Sequence, residues 1–411
     1  MRLLLLAAVL GIALAARVSY DGHKVLRVNP TDDQLALLMQ FKNRPGFSFR
    51  NEPRRTGANL DIMVSPEQHA AFLSFLKEKD IGFHVLFDNI QTLIEAEDRR
   101  QRSMSKVPRA ISFDRYYRYD EINSYLEELA AKYPNLVTLE SIGKSYEGRD
   151  MVVIKISSGG SGTRPAILID GGIHAREWIA PATALYVINQ LVENNAANSA
   201  LADAVDWYIL PVLNPDGYEY SHTEDRMWRK TVSVTPISGC PGVDGNRNFG
   251  FHWNEVGASD YPCYEDYAGE VAFSEIEARN LRDFALANKE QIKLYLTFHS
   301  YGGYLLYPWG YTSELPPDWH TLQELAADAS LAHLNAGGDP FTIGSSTNVL
   351  YAAAGGSDDY MKGVAGIELS YTAELTNTYY GFQLPAELIN ETVTRFFESV
   401  RVFGSYVKEN F

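Results

Sequence analysis

Short apolar runs bounded by turn residues alternate along the chain with longer stretches of helical periodicity. In the N-terminal part, residues 24–28, 59–64 and 82–88 read as strands. Thr31-Asp32-Asp33-Gln34 and Ser65-Pro66-Glu67-Gln68 read as capping boxes, the second with proline at the first helical position. They open helices that run to about Lys42 and Lys79, and residues 90–102 read as a connecting helix. Together these make a small α+β unit. From Asp114 the pattern restarts on a larger scale. Helices are expected over residues 116–132, 181–194, 274–288, 318–334 and 385–409, the third opened by the capping box Ser274-Glu275-Ile276-Glu277. Strands are expected over 137–141, 151–157, 166–169, 207–212, 292–298 and 367–373, with a turn at Asn214-Pro215-Asp216-Gly217. Buried apolar strands alternating with helices imply an α/β domain with a mixed, largely parallel central sheet and helices on both faces.

Length and charge narrow the picture. A chain of 411 residues has room for two or three domains, or one large domain with an appendage. A formal net charge of −16 argues against nucleic acid as a partner, because phosphate binding needs a basic face. Met1-Arg2 and the apolar run that follows, closed by Ala13, Ala15 and Ala16, have the form of a secretory signal cut after Ala15 or Ala16. No other stretch is apolar for long enough to span a bilayer. Between the two units lies a basic stretch with Arg99, Arg100, Arg102, Lys106 and Arg109 around Pro108. It is a solvated linker, and in a secreted protein it is also where a trypsin-like protease would cut. The organisation expected is a signal at 1–16, the small unit at 17–98, an activation linker at 99–109 and the main domain at 110–411. Cys240 and Cys263 are the two cysteines; in an oxidising compartment a disulfide is favoured over metal ligation.

Chemistry gathers at strand ends. The run 166–169 ends in Asp170-Gly171-Gly172, and His174 and Glu177 follow three positions apart. That spacing lets an imidazole and a carboxylate converge, as half of a zinc site would need. Alone it is a weak signal, since such a pair is more often a surface hydrogen bond. His299 ends a second strand and Glu374 a third, and ligands of open α/β sheets bind outside the carboxyl ends of strands. Glu374 is also the lone acid between Leu369 and Gln383.

The stretches GGIHAREWIAP, NPDGYEYSHTEDRMWRK, DGNRNF, FHSYGGYLLYPWGY, YAAAGGSDDY and YTAELTNTYYGF resemble those of the secreted zinc carboxypeptidases of the carboxypeptidase A and B family. The resemblance covers nearly all of residues 110–411, and the N-terminal unit resembles the family's pro-segment, a ferredoxin-like fold. It implies one zinc ion held by His174, Glu177 and His299 with water in the fourth position, Glu374 as the base, and Arg229 polarising the scissile carbonyl. Asn246 and Arg247 correspond to the pair that binds the substrate's C-terminal carboxylate; Tyr351, Tyr301 and Arg176 fall in its substrate-contact area. Arg226 and Lys230 read as structural or solvated. Asp358 stands where B-type enzymes carry an aspartate at the pocket floor, which implies release of C-terminal Lys or Arg; an apolar A-type pocket is the alternative. Gly310 and Ser346 flank that pocket. The family also implies a monomeric digestive enzyme, secreted as a zymogen, whose substrates are peptide and protein C-termini. Asn390-Glu391-Thr392 is a glycosylation acceptor by sequence.

Overall fold

A computed structural model describes residues 17–51, 59–104, 111–159, 164–376 and 379–411. The expected signal segment and the end of the basic stretch, with Lys106, Pro108 and Arg109, lie outside the described residues. The N-terminal unit runs β1 (Lys24–Val28), α1 (Asp32–Met39), β2 (Phe47–Phe49), β3 (Leu60–Val64), α2 (His69–Glu78), β4 (Phe83–Phe87) and α3 (Ile90–Met104). Its strands lie in the order β2-β3-β1-β4, each antiparallel to its neighbour, as in a ferredoxin-like sheet. The capping box at Thr31 forms, with Gln34 closing it from the other side. The one at Ser65 does not: residues 66–68 make a turn, and α2 starts at His69 without a side-chain cap. The three-residue edge strand β2 is too short to leave a periodic signal. The basic stretch begins inside α3, so Arg99, Arg100 and Arg102 are helical rather than part of an extended linker.

The main domain continues with α4 (Tyr119–Lys132), β5 (Val137–Lys144), β6 (Asp150–Ile156), β7 (Ala166–Gly171), α5 (Ile179–Val192), α6 (Asn195–Ala202), β8 (Asp206–Leu210), α7 (Pro215–Thr223) and α8 (Ile276–Asn288). Then follow β9 (Ile292–Ser300), β10 (Tyr304–Tyr307), α9 (Trp319–Asn335), β11 (Thr342–Ser345), α10 (Ser346–Val349), α11 (Ser357–Gly363), β12 (Leu369–Leu375) and α12 (Ile389–Asn410). The sheet order is β11-β10-β12-β9-β7-β8-β6-β5. Its central strands β12, β9, β7 and β8 are parallel, while β6, β5 and β10 bring in antiparallel pairs towards the edges.

β7 is buried at every position, which is why its sequence is continuously apolar. Ile167 and Ile169 join the core beneath α4, α5, α9 and α12, and Ala166 and Leu168 the core beneath α8 and α11. On α12, Ile389, Val393, Phe396, Val400, Phe403 and Val407 recur every three or four residues and bury one face. Two local expectations change. The turn at Asn214 is the start of α7, with the Asn214 side chain accepting from the Gly217 N–H. The capping box at Ser274 is not made, because Glu277 is drawn away to accept from the Tyr146 N–H at 2.9 Å.

Candidate active site

The loop from β7 to α5 carries His174 and Glu177. It leaves the strand through Gly171 and Gly172, and both positions favour glycine. A Cβ on Gly171 would lie 3.1 Å from the Ala180 backbone, and Gly172 has φ +67°. His299 sits near the end of β9, and Glu374 lies directly opposite it on β12. The sheet's register therefore supplies what the sequence separates by 75 to 200 positions. His174 Nδ1 is 2.9 Å from Glu177 Oε1, His299 Nδ1 is 3.3 Å from Glu177 Oε2, and the two Nδ1 atoms are 3.2 Å apart. Donors around a tetrahedral zinc with bonds of about 2.1 Å stand about 3.4 Å from one another, so the three groups fit that ion.

The surroundings fit it too. His174 Nε2 lies 3.0 Å from Asp244 Oδ1, which holds the proton on Nε2 and leaves Nδ1 free to ligate. The Ser300 N–H donates to Glu177 Oε2 at 3.1 Å. Burial pushes the Glu177 carboxyl up, but His174 and His299 outweigh it and hold Glu177 well below the usual carboxylate range. Asp244 is the site residue that sequence reasoning missed. It opens the DGNRNF stretch, and its other oxygen accepts from Arg229 Nε and Nη2 at 3.1 and 2.8 Å. Arg229 Nη1 is left 4.0 Å from Glu177 Oε1, on the wall of the same cavity.

That cavity has a volume of about 700 Å³ and also holds Glu374, Asn246, Arg247, Tyr351 and Asp358. Arg247 is anchored by bonds to the Gly257 and Asn246 carbonyls, and its Nη2 donates to the Tyr351 hydroxyl at 3.1 Å. Asp358 and Asp359 are both buried, but differently used. Asp359 accepts from the Gly310 and Tyr311 N–H groups at 2.8 to 3.1 Å. Asp358 faces the cavity beside Thr372 and Ser346, and burial raises its carboxyl above the usual range. Cys240 and Cys263 are bridged.

The N-terminal unit covers this cavity with residues 42–51. Tyr301 donates to Asp61 Oδ2 at 3.3 Å, and Arg27 grips the same carboxylate through two bonds of 2.7 Å. Arg50 donates to Gln383 Oε1 at 2.6 Å. Arg226, expected to be structural or solvated, is buried and holds Glu97 of α3 at 2.5 and 3.1 Å. Lys230 is also buried, donating to the Pro262 carbonyl at 2.6 Å. Arg176 lines the cavity with its guanidinium on Glu265 at 3.1 and 3.2 Å.

Sequence comparison agrees with the geometry. Residues 122–399 match the family model for zinc carboxypeptidases, and residues 26–97 match the one for the carboxypeptidase activation peptide. The chain belongs to the zinc carboxypeptidase family and carries its activation peptide, so it is a zymogen. It is 51% identical to carboxypeptidase B of Astacus astacus over 298 residues, 72% of this chain and 98% of that protein. It is 38% identical to zinc carboxypeptidase A 1 of Drosophila melanogaster over 417 residues, 98% and 96% of the two chains. The crystal structure of carboxypeptidase A from Helicoverpa armigera superposes with a TM-score of 0.87 at 32% identity, covering 95% of this chain and 98% of that one.

Proposed function

We propose that the processed protein removes Lys and Arg from peptide C-termini. Relatives of both A and B type match the chain, so the reading rests on one observation: of two adjacent buried acids, Asp358 is the one that opens on the cavity. A Lys or Arg side chain would neutralise that carboxylate, whereas an apolar side chain would leave it buried and uncompensated.

We assign the remaining roles as follows, with the geometry as their support. Asn246 and Arg247 hold the C-terminal carboxylate, with Tyr351 beside Arg247 adding its hydroxyl. Arg229, held by Asp244 with a guanidinium nitrogen on the cavity wall, polarises the scissile carbonyl. Glu374 takes the proton from the attacking water and gives it to the departing amine. Bound by His174, Glu177 and His299, zinc supplies Lewis acidity to the water and carbonyl. Arg176 and Tyr301 contact the substrate on the N-terminal side of the cleaved bond, where the activation peptide now lies.

We read residues 1–16 as a leader for export, and the basic stretch running from inside α3 to Arg109 as where a trypsin-like protease releases the main domain. A digestive lumen is a compartment where a secreted zymogen and such a protease meet. The chain itself supplies each group named above, so the site needs no second copy, which is consistent with a monomer. Asp358→Leu in the processed enzyme tests the specificity. It should lower kcat/KM for Lys-ended peptides by on the order of a hundredfold or more and raise that for Leu-ended ones. A variant with the unchanged Lys-to-Leu ratio would remove Asp358 from the account.

A further inference from the structure

Behind the pocket lies a chain of buried polar side chains that none of these roles uses. Asp170, on β7, accepts from Thr297 Oγ1 at 2.7 Å and from the Tyr295 hydroxyl at 2.5 Å, both on β9. Tyr295 has one hydroxyl proton and gives it to the carboxylate. The same Tyr295 hydroxyl lies 2.9 Å from Ser357 Oγ, within hydrogen-bond distance. Ser357 is the first residue of α11, and its backbone N–H donates to Asn246 Oδ1 at 2.9 Å. With that oxygen taken, the Asn246 amide has its N–H donors left for a ligand in the cavity it lines. Asp170, Tyr295 and Ser357 are all fully buried, so each bond is made in a low-dielectric setting where leaving one unmade is costly.

We propose that Tyr295 is a positioning residue for the substrate's C-terminus: through Ser357 it fixes the N–H that orients the Asn246 amide. This rests on Asn246 binding the carboxylate. A phenylalanine would fill the same space, so packing alone gives no reason for the hydroxyl. A purely structural tyrosine would, when replaced, lower stability and leave the kinetics of the folded enzyme alone.

The test uses processed enzyme and the peptide it cleaves fastest. Tyr295→Phe should raise KM roughly fivefold with kcat within about twofold, at unchanged zinc content. Ser357→Ala keeps the Tyr295–Asp170 bond, so it serves if Tyr295→Phe does not fold, and it should shift KM in the same direction. Asn246→Ala should raise KM by itself, and in that background neither change should raise it further. If Asn246→Ala leaves KM unaltered, the carboxylate reading fails, and the positioning role with it. If Asn246→Ala raises KM but Tyr295→Phe and Ser357→Ala do not, or if their effects multiply with it, the positioning role alone is overturned.

Discussion

Glu277 is a buried carboxylate with one oxygen on the Tyr146 N–H and the other without a partner. Burial pushes its carboxyl up to about 7 from an ordinary value of 4.5, and the backbone bonds only partly oppose this. The folded chain thus holds this proton more tightly than the unfolded chain does. Its contribution to stability is full below about pH 4.5 and is lost as the pH rises towards 7. Glu277→Gln should flatten that part of the stability profile, a difference on the order of 3 kcal/mol by pH 8. Urea midpoints of the variant and the parent at pH 5 and pH 8 would show it. The metal cluster was legible at this scale mainly through its motifs: the spacing of His174 and Glu177 is a weak signal alone, and the resemblance joins His299 to them. Asp244 and Tyr295 were not, because an aspartate before a turn and a tyrosine in an apolar strand look ordinary until the neighbouring strand is known.

At the scale of elements, long periodic segments such as α12 and continuous apolar ones such as β7 were readable. The misses were short strands and helices, such as β2, β10, β11 and α7, and the cap at Ser274, where Glu277 accepts from Tyr146 instead. Helix α3 changes the account of activation. Arg99 faces Glu95 one turn away, Arg100 pairs with Glu387 at 2.8 Å, and Gln101 donates to the Tyr116 carbonyl at 2.8 Å. A protease draws its target into an extended form, so bonds within this docked helix open only by local unfolding. Trypsin should therefore cut first after Lys106 or Arg109. N-terminal sequencing at early times should find Val107 or Ala110, and a first product starting after Arg99, Arg100 or Arg102 would refute this.

Across the whole molecule, four parallel strands place their carboxyl ends at one edge, and the chemistry collects there. The activation peptide rests on that same edge. It covers the site through Asp61, Arg50 and Glu97, and among the described residues it supplies no ligand to the three-residue metal cluster. Nothing in the N-terminal sequence announced those contacts, since an inter-domain ion pair reads as two unrelated surface charges until the surfaces meet. The chain's net charge of −16 is a general field favourable to cations, which the proposed specificity has Asp358 concentrate at one place. The most direct measurement is the rate at which trypsin-processed protein releases the last residue from otherwise identical peptides ending in Lys or Phe, with and without a chelator. Release of Lys should be faster by at least about tenfold, cease on chelation and return with added zinc. Faster release of Phe would contradict the assigned specificity, and undiminished rates after the metal is removed would contradict the mechanism.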